Sequence, residues 1–185
     1  MASIQILMVD DQIASLLTLE DILSDIDARF IKATSAKEAL LVLLKNTIDC
    51  VLLDVSMPEM DGFEFLQTLR SAPAHAKIPV IMVTGKIFSE NETLKAYQYG
   101  AVDFLLKPLD RETVYRKVSF IVQQAQRIKS IEHIEAHLNR LDKDLVQPLE
   151  ALKKDAESEA QQQTLSDIAQ TAKDLHSAWK QISND

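Results

Sequence analysis

Short apolar runs alternate with amphipathic segments through the first part of the chain. Five runs have the length of strands, and they are Ile4–Val9, Arg29–Thr34, Cys50–Asp54, Val80–Thr84 and Val102–Leu106. The segments between them carry apolar residues at helical spacing, and they are Ser15–Ile26, Ser35–Asn46, Phe63–Arg70 and Asn91–Tyr99. A fifth helix is predicted to begin near Arg111.

This alternation predicts an α/β fold. Strands that alternate with helices form βαβ units, in which a parallel sheet is covered by helices on both faces. Five strands and five helices match the flavodoxin-like, doubly wound order of a five-stranded parallel sheet, whose ligands bind at the carboxyl ends of the strands. The chain has only three Gly and five Pro, which are too few turn residues for an all-β sandwich or barrel.

Polar side chains stand at the carboxyl ends of four predicted strands. Asp10 and Asp11 follow the first strand directly. The third strand ends at Asp54, the fourth ends at Thr84, and Lys107 follows the fifth. Because the carboxyl ends of parallel strands share one edge of the sheet, we expect these five side chains to converge there.

The residue types at this edge predict phosphoryl chemistry. Three carboxylates in one place repel one another unless a cation lies among them, and Mg²⁺ is a hard cation that binds carboxylates, waters and phosphate oxygens. Lys107 offers a positive charge and Thr84 a hydroxyl donor to a phosphoryl oxygen. An aspartate can attack phosphorus and form an aspartyl phosphate. Positioning and charge neutralisation are most of what phosphoryl transfer requires.

Four motifs carry a resemblance to a known family. They are Val9-Asp-Asp11, Leu53-Asp-Val-Ser-Met-Pro-Glu-Met-Asp-Gly62, Val83-Thr-Gly85 and Gly100-Ala-Val-Asp-Phe-Leu-Leu-Lys-Pro108. Each motif alone is weak evidence, but their order and spacing together are specific. Over residues 4–125 the chain resembles the receiver domain of bacterial response regulators (CheY-like).

The resemblance implies roles for the residues at the predicted edge. Asp54 would be the phospho-acceptor, and Lys107 would contact the phosphoryl group. Mg²⁺ would be bound by Asp11, by Asp54 and by the backbone carbonyl of Ser56, and through a water by Asp10. The phosphoryl donor would be a sensor histidine kinase, a phosphotransfer protein or a small phosphodonor.

The resemblance also implies a switch. Thr84 and Phe104 match the pair in which the hydroxyl moves to the phosphoryl group while the aromatic ring turns inward, so that a local charge event biases a bistable element. It further implies a cis peptide bond between Lys107 and Pro108. The Asp61-Gly62 pair is interpreted as turn chemistry rather than as a ligand.

Composition and charge limit the partners and the cellular location that we expect. The formal net charge is −8 and no basic cluster is present, so we expect no nucleic-acid partner. The longest apolar run, Ala39–Leu44, is far shorter than the roughly 20 residues that span a bilayer. The start of the chain lacks the basic region of a signal peptide, and the single cysteine, Cys50, excludes a disulfide framework. We therefore expect a cytoplasmic protein without a membrane partner.

An apolar stripe at spacings of three and four continues from Arg111 far beyond the receiver. Its positions are Val114, Val118, Ile121, Ala125, Ile128, Ile131, Ile134, Leu138, Leu141, Leu145, Leu149, Leu152 and Ala156. This pattern predicts a coiled-coil seam on one helical rod, about 45 residues and roughly 65 Å long. Because a rod cannot bury such a stripe alone, we expect a parallel homodimer.

The stripe is interrupted and then resumes. It is lost across Glu157–Thr164 and resumes at Leu165, Ile168, Ala172, Leu175, Trp179 and Ile182. We therefore predict a receiver domain at 1–125, followed at 126–185 by a coiled-coil extension and an all-α helical hairpin, whose dimer forms a four-helix bundle. The alternative is a single unbroken helix, because no Gly or Pro marks a turn.

The stretch Leu141-Asp-Lys-Asp-Leu-Val-Gln-Pro-Leu149 resembles the dimerisation and phosphotransfer hairpin of histidine kinases, and the resemblance covers residues 130–183. Alignment of that family's His-Glu-Leu-Arg-Thr-Pro-Leu pattern on Pro148 puts Lys143 where the phosphorylated histidine stands. The hairpin is therefore degenerate and lacks the phospho-histidine. No ATP-binding domain follows it, so we do not expect kinase activity.

The same alignment raises a hypothesis of phosphatase activity. In bifunctional kinases, the acidic residue after the histidine and the amide or hydroxyl residue before the proline support dephosphorylation of a partner receiver. Asp144 and Gln147 occupy these positions, and a Gln amide can orient an attacking water. The hairpin would then act on another response regulator. The alternatives are that both residues are solvated surface positions and that the tail is an adaptor or the structural end of a phosphate sink.

Overall fold

The structure, a computed structural model, describes residues 3–85, 90–149 and 159–184. The chain divides into two compact units, Met1–Gln126 and Arg127–Asp185. Within the described residues, no helix is both long and apolar enough to cross a membrane.

The first unit is built on five parallel strands in the order β2-β1-β3-β4-β5. The strands are β1 (Ile4–Val9), β2 (Ala28–Ala33), β3 (Cys50–Asp54), β4 (Val80–Thr84) and β5 (Asp103–Leu106). The chain winds outward from β1 in both directions, which confirms the predicted flavodoxin-like, five-stranded parallel sheet.

The helices of this unit are α1 (Ile13–Ile22), α2 (Ala36–Lys45), α3 (Gly62–Ser71), α4 (Glu90–Gln98) and α5 (Arg111–Leu141). Side-chain capping is clear at the starts of α2 and α3. The Ser35 hydroxyl accepts a hydrogen bond from the Glu38 N–H at the start of α2, and Asp61 and Glu64 form a reciprocal capping box at the start of α3. Both caps satisfy backbone N–H groups that have no partner within a helix.

Side chains of the central strands point alternately to two hydrophobic cores. On β3, Leu53 packs in a core with α2, α3 and α4, whereas Leu52 packs on the opposite face with α1 and α5. Because β3 is buried on both faces, all five of its residues are buried. A central parallel strand therefore has a continuous apolar run instead of an alternating one.

Helix α1 ends earlier than its apolar pattern predicts. The predicted segment Ser15–Ile26 starts two residues inside the helix and extends four residues past its end at Ile22. Leu23 and Ile26 are buried, but they lie in the turn that leads to β2, where the Ile26 N–H donates to the Leu23 carbonyl. The apolar spacing therefore predicts correctly that these side chains are buried, but it does not predict where the helix ends.

The first part of the predicted coiled-coil seam is wrong. Val114 and Val118, the first two positions of the seam, are buried in the receiver core against the sheet, so they are not available to a second chain. Beyond Gln126 the stripe continues on α5 but is solvent-exposed, with 57% of Ile128 accessible. The same helical periodicity therefore occurs where α5 packs on the sheet and where its apolar side chains face solvent.

The second unit contains the end of α5, a π-helical segment Asp142–Val146 and helix α6 (Glu159–Asn184). In the segment, the Gln147 N–H donates to the carbonyl of Asp142, five residues earlier. Pro148 follows directly, and a proline has no N–H to donate to the carbonyl four residues before it. The predicted helical rod therefore continues through this point, with a π-helical segment inserted before Pro148.

Helix α6 packs against the π-helical segment, and Ala169 on α6 is buried. In one straight helix, Val146 and Glu159 would be about 20 Å apart, so this contact favours the predicted hairpin over a single unbroken helix. The interruption predicted at Glu157–Thr164 lies mostly within helix α6, which begins at Glu159. Residues 157 and 158 lie outside the described residues, as does the side chain of Trp179.

Candidate functional site

The carboxyl edge of the sheet collects the predicted polar residues. Asp10 follows β1, and Asp54 and Thr84 are the last residues of β3 and β4. Within the described part of the chain, these three are the only polar or charged residues that are buried. Lys107 follows β5 and is three quarters buried. Buried polar groups must be paired to be tolerated, and the contacts of Lys107 show how this is achieved.

The ammonium of Lys107 lies between two buried carboxylates. Its Nζ donates to Asp10 Oδ2 at 2.7 Å and to Asp54 Oδ1 at 2.7 Å. Burial alone lowers the pKa of Lys107, but the two hydrogen bonds and the two negative charges outweigh it, so this pKa lies above its ordinary value. Lys107 therefore remains positively charged and compensates both carboxylates.

Backbone N–H groups satisfy the other oxygen of each carboxylate. The Gln12 N–H donates to Asp10 Oδ1 at 2.9 Å, and the Ser56 N–H donates to Asp54 Oδ2 at 2.8 Å. The second contact holds the backbone of Ser56 beside Asp54. The resemblance implies that the carbonyl of Ser56 is a ligand of Mg²⁺. Both carboxylates are thus oriented by hydrogen bonds as well as by charge.

Three carboxylates at this edge are close enough to share one ion. Asp10, Asp11 and Asp54 each offer an oxygen, and these oxygens lie within 4.8 Å of one another. Asp11 is exposed, so the group opens to solvent on that side. An all-oxygen donor set that keeps access to water fits Mg²⁺, which retains several waters when bound.

The loop after Asp54 requires a glycine at its end. A Cβ on Gly62 would lie 2.5 Å from the carbonyl oxygen of Asp54 and 2.9 Å from Cα of Val55. Both are backbone atoms that cannot move aside without displacing the site. Asp61 caps helix α3, which agrees with its interpretation as a structural residue.

The two predicted switch residues lie on neighbouring strands. Thr84 is buried at the end of β4, and its carbonyl accepts a hydrogen bond from the Lys107 N–H at 2.7 Å. Phe104 on β5 is partly buried, and its ring centroid lies 5.0 Å from that of Tyr97 on α4. The peptide bond between Lys107 and Pro108 is cis, as the resemblance implied.

An ion pair between α5 and β5, the strand that carries Phe104, was not predicted from the sequence. Lys117 on α5 contacts Asp103 on β5, with Nζ 2.7 Å from Oδ1. Neither residue belongs to a spacing pattern that predicts this contact, because they come from different elements. The contact between Tyr97 and Phe104 was missed for the same reason.

The two predicted phosphatase residues belong to the second unit. Asp144 lies inside the π-helical segment, and Gln147 is the first residue after it. Both side chains are exposed. Their chemistry is therefore a separate question from that of the carboxylate cluster.

Comparison with known proteins identifies a family for the first unit. A family model described as the response regulator receiver domain matches residues 6–119. Chemotaxis protein CheY4 of Vibrio cholerae has a similar structure, with a TM-score of 0.61 and 29% sequence identity over 65% of this chain and 99% of that chain. The family match does not reach residues 126–185, so their resemblance to a kinase hairpin stays a prediction.

Two curated relatives are longer than this chain. The cyclic di-GMP phosphodiesterase response regulator RpfG of Xanthomonas campestris pv. campestris is 31% identical over 131 residues, which are 70% of this chain and 34% of RpfG. The transcriptional regulatory protein SrrA of Staphylococcus aureus is 30% identical over 133 residues, which are 72% of this chain and 53% of SrrA. The matches span about a third of one relative and about half of the other.

The charge balance of the cluster can be tested by removing its cation. Lys107→Met leaves two buried carboxylates without compensation, so we expect the free energy of unfolding at pH 7 to fall by roughly 3 kcal/mol. Urea denaturation measures this loss.

Lys32→Met is the matched control, because it removes a partly exposed ion pair with Glu20 by the same chemical change. We expect it to cost less than about 1 kcal/mol at pH 7. Equal stability of the two variants at pH 7 would contradict the assigned role of Lys107.

Proposed function

Because this chain belongs to the response regulator receiver family, we propose that it accepts a phosphoryl group on Asp54 in a Mg²⁺-dependent reaction and switches its own helical tail. The observation that carries this proposal is Lys107, whose ammonium contacts both Asp10 and Asp54. A cation that already contacts the acceptor carboxylate can contact the phosphoryl group once Asp54 carries it. The proposed donor is the phosphohistidine of a sensor histidine kinase or of a phosphotransfer protein.

Each residue of the site has a separate role in the proposed phosphoryl transfer. A carboxylate oxygen of Asp54 attacks phosphorus, and the bond from phosphorus to the donor nitrogen breaks as the aspartyl phosphate forms. Lys107 stands 2.7 Å from Asp54 Oδ1, where its charge can neutralise a phosphoryl oxygen. Mg²⁺, held by Asp10, Asp11, Asp54 and the Ser56 carbonyl, would supply further neutralisation of the phosphoryl charge.

The new charge would then act on the switch pair. A phosphoryl group on Asp54 competes for Lys107 and offers acceptor oxygens to the Thr84 hydroxyl at the end of the neighbouring strand. In the proposed switch, Thr84 moves toward that group and the ring of Phe104 turns inward. The reaction would take place in the cytoplasm, where such donors act.

Replacement of the acceptor tests this function. Asp54→Asn keeps the size of the side chain but removes the nucleophile, so we expect loss of at least 95% of the radiolabel taken up from a small acyl-phosphate donor in the presence of Mg²⁺, roughly a twentyfold drop. Omission of Mg²⁺ should have a similar effect on the unaltered protein. Filter binding of the labelled protein measures both.

Asp61→Asn is the matched control. Asp61 is seven positions from Asp54 and caps α3, and asparagine is as good a cap as aspartate. This variant should label like the unaltered protein. Continued labelling of Asp54→Asn would instead point to another acceptor, such as a histidine.

We also propose that the second unit forms a homodimer. Its helices leave apolar side chains exposed on α5, on the π-helical segment and on α6, and these are Ile128, Ile131, Ile134, Leu141, Leu145, Ile168 and Leu175. Two helices that pack together and still expose such stripes can bury them against a second copy, as in a four-helix bundle.

The dimer predicts a mass near twice the 20.8 kDa of one chain in light scattering. Ile134→Asp places a charge within the stripe, so we expect dissociation to the mass of one chain at micromolar concentration. His133→Asp introduces the same side chain at the neighbouring exposed position and should leave the dimer intact. A mass of one chain for the unaltered protein would overturn this proposal.

A second candidate function is dephosphorylation of another response regulator by the tail. The observation that favours it is the π-helical segment, because such segments occur often at functional sites. It includes Asp144 and ends directly before Gln147, and both side chains are exposed to a docking partner. In this proposal the Gln147 amide orients water for attack on the aspartyl phosphate of the partner.

Loss of acyl phosphate from phosphorylated partner receivers measures this activity. Gln147→Ala should lower any acceleration at least tenfold, because the water loses its orienting amide. Gln163→Ala, an exposed glutamine on α6, should have no effect. If no receiver of the host loses phosphate faster, the tail would be an adaptor or the structural end of a phosphate sink.

A further inference from the structure

Two side chains hold the backbone of strand β5 at Phe104, the aromatic residue of the proposed switch. The Phe104 N–H donates to Asp103 Oδ1 at 2.8 Å, and the Phe104 carbonyl accepts from Lys117 Nζ at 2.9 Å. Lys117 also donates to Asp103 Oδ1 at 2.7 Å. Asp103 and Lys117 therefore enclose the N–H and the carbonyl of the same residue, in an arrangement that we call the Phe104 clamp.

The clamp acts on the last strand of the sheet. Among the described residues, β5 pairs with β4 alone, so it has less backbone support than a central strand. The ring of Phe104 is held from a different direction, by Tyr97 on α4. Movement of Phe104 thus has two costs, one in the contact of its ring and one in the clamp on its backbone.

Lys117 connects this strand to the helix that leaves the receiver. It stands on α5 directly before Val118, which is buried against the sheet, and α5 is one continuous helix from Arg111 to Leu141. The side chains of Lys117 and Asp103 are each about one third exposed, at 34% and 33%. An ion pair this shielded, with two further hydrogen bonds, is more than a screened surface contact.

We propose that Lys117 and Asp103 are positioning residues that couple the place of Phe104 to the place of α5. The inference rests on the proposed function, because Phe104 must move when Asp54 is phosphorylated. When the ring turns inward, the carbonyl that Lys117 holds shifts with the strand, and the clamp passes that shift to α5. Without the clamp, the switch completes its movement while α5 stays where it was.

The test compares α5 in the two states of the full-length protein. Amide hydrogen exchange of residues 118–141 is measured before and after phosphorylation by acetyl phosphate with Mg²⁺, and uptake of phosphate is measured in the same samples. In the unaltered protein we expect exchange in this stretch to differ between the two states. In Lys117→Met we expect that difference to fall at least fivefold.

Uptake of phosphate separates this inference from the function on which it rests. Lys117→Met should take up at least as much phosphate at steady state as the unaltered protein, because its switch no longer has to move α5 and coupling between two equilibria is reciprocal. Lys117→Arg keeps the charge and the donors and should restore most of the difference. A structural defect alone would not respond in this way to phosphorylation or to the conservative variant.

Arg116→Met is the matched control on the same helix, since it removes an exposed ion pair with Glu112 and should leave the difference unchanged. A full difference in Lys117→Met would overturn the inference, as would unaltered protein that labels on Asp54 without any change in α5. Absence of labelling in the unaltered protein would overturn the proposed function and this inference with it.

Discussion

The ammonium of Lys107, held between the carboxylates of Asp10 and Asp54, is the interaction on which the rest of the structure depends. Two buried carboxylates at neighbouring strand ends would oppose folding through repulsion and lost hydration. Lys107, which directly follows β5, lies 97 residues from Asp10 and 53 residues from Asp54 along the chain. The charge is compensated only when β1, β3, β4 and β5 are all in place, so the site and the sheet form together.

The same constraint supports the proposed switch. One cation among three carboxylates leaves an excess of negative charge, which suits a divalent ion and would make the cluster sensitive to an added phosphoryl group. The residues of the proposed switch are already packed. The Thr84 carbonyl accepts a hydrogen bond from the Lys107 N–H, and Phe104 contacts Tyr97 through its ring and Lys117 through its carbonyl. A change of charge at Asp54 would therefore act on a connected set of contacts.

The accuracy of the sequence prediction follows the depth of burial. The central strands Ile4–Val9, Cys50–Asp54 and Val80–Thr84 match the structure residue for residue, because burial on both faces makes each a continuous apolar run. The edge strand β2 is displaced by one residue and β5 begins one residue later than predicted, since their outer sides meet solvent and their boundaries lack that contrast. The site residues were predictable as well, because strand ends in a parallel sheet share one edge.

Apolar periodicity by itself determined which side chains avoid water, and the order of polar residues determined which groups meet at the carboxyl edge. Only the tertiary structure decided what covers each apolar side chain. Val114 and Ile128 belong to one stripe, yet the first packs against the sheet and the second is exposed, because the same spacing suits a helix on its own core and a helix on a partner. The Asp103–Lys117 pair was likewise decided in three dimensions, since its two residues lie 14 positions apart on different elements and no local pattern records their contact.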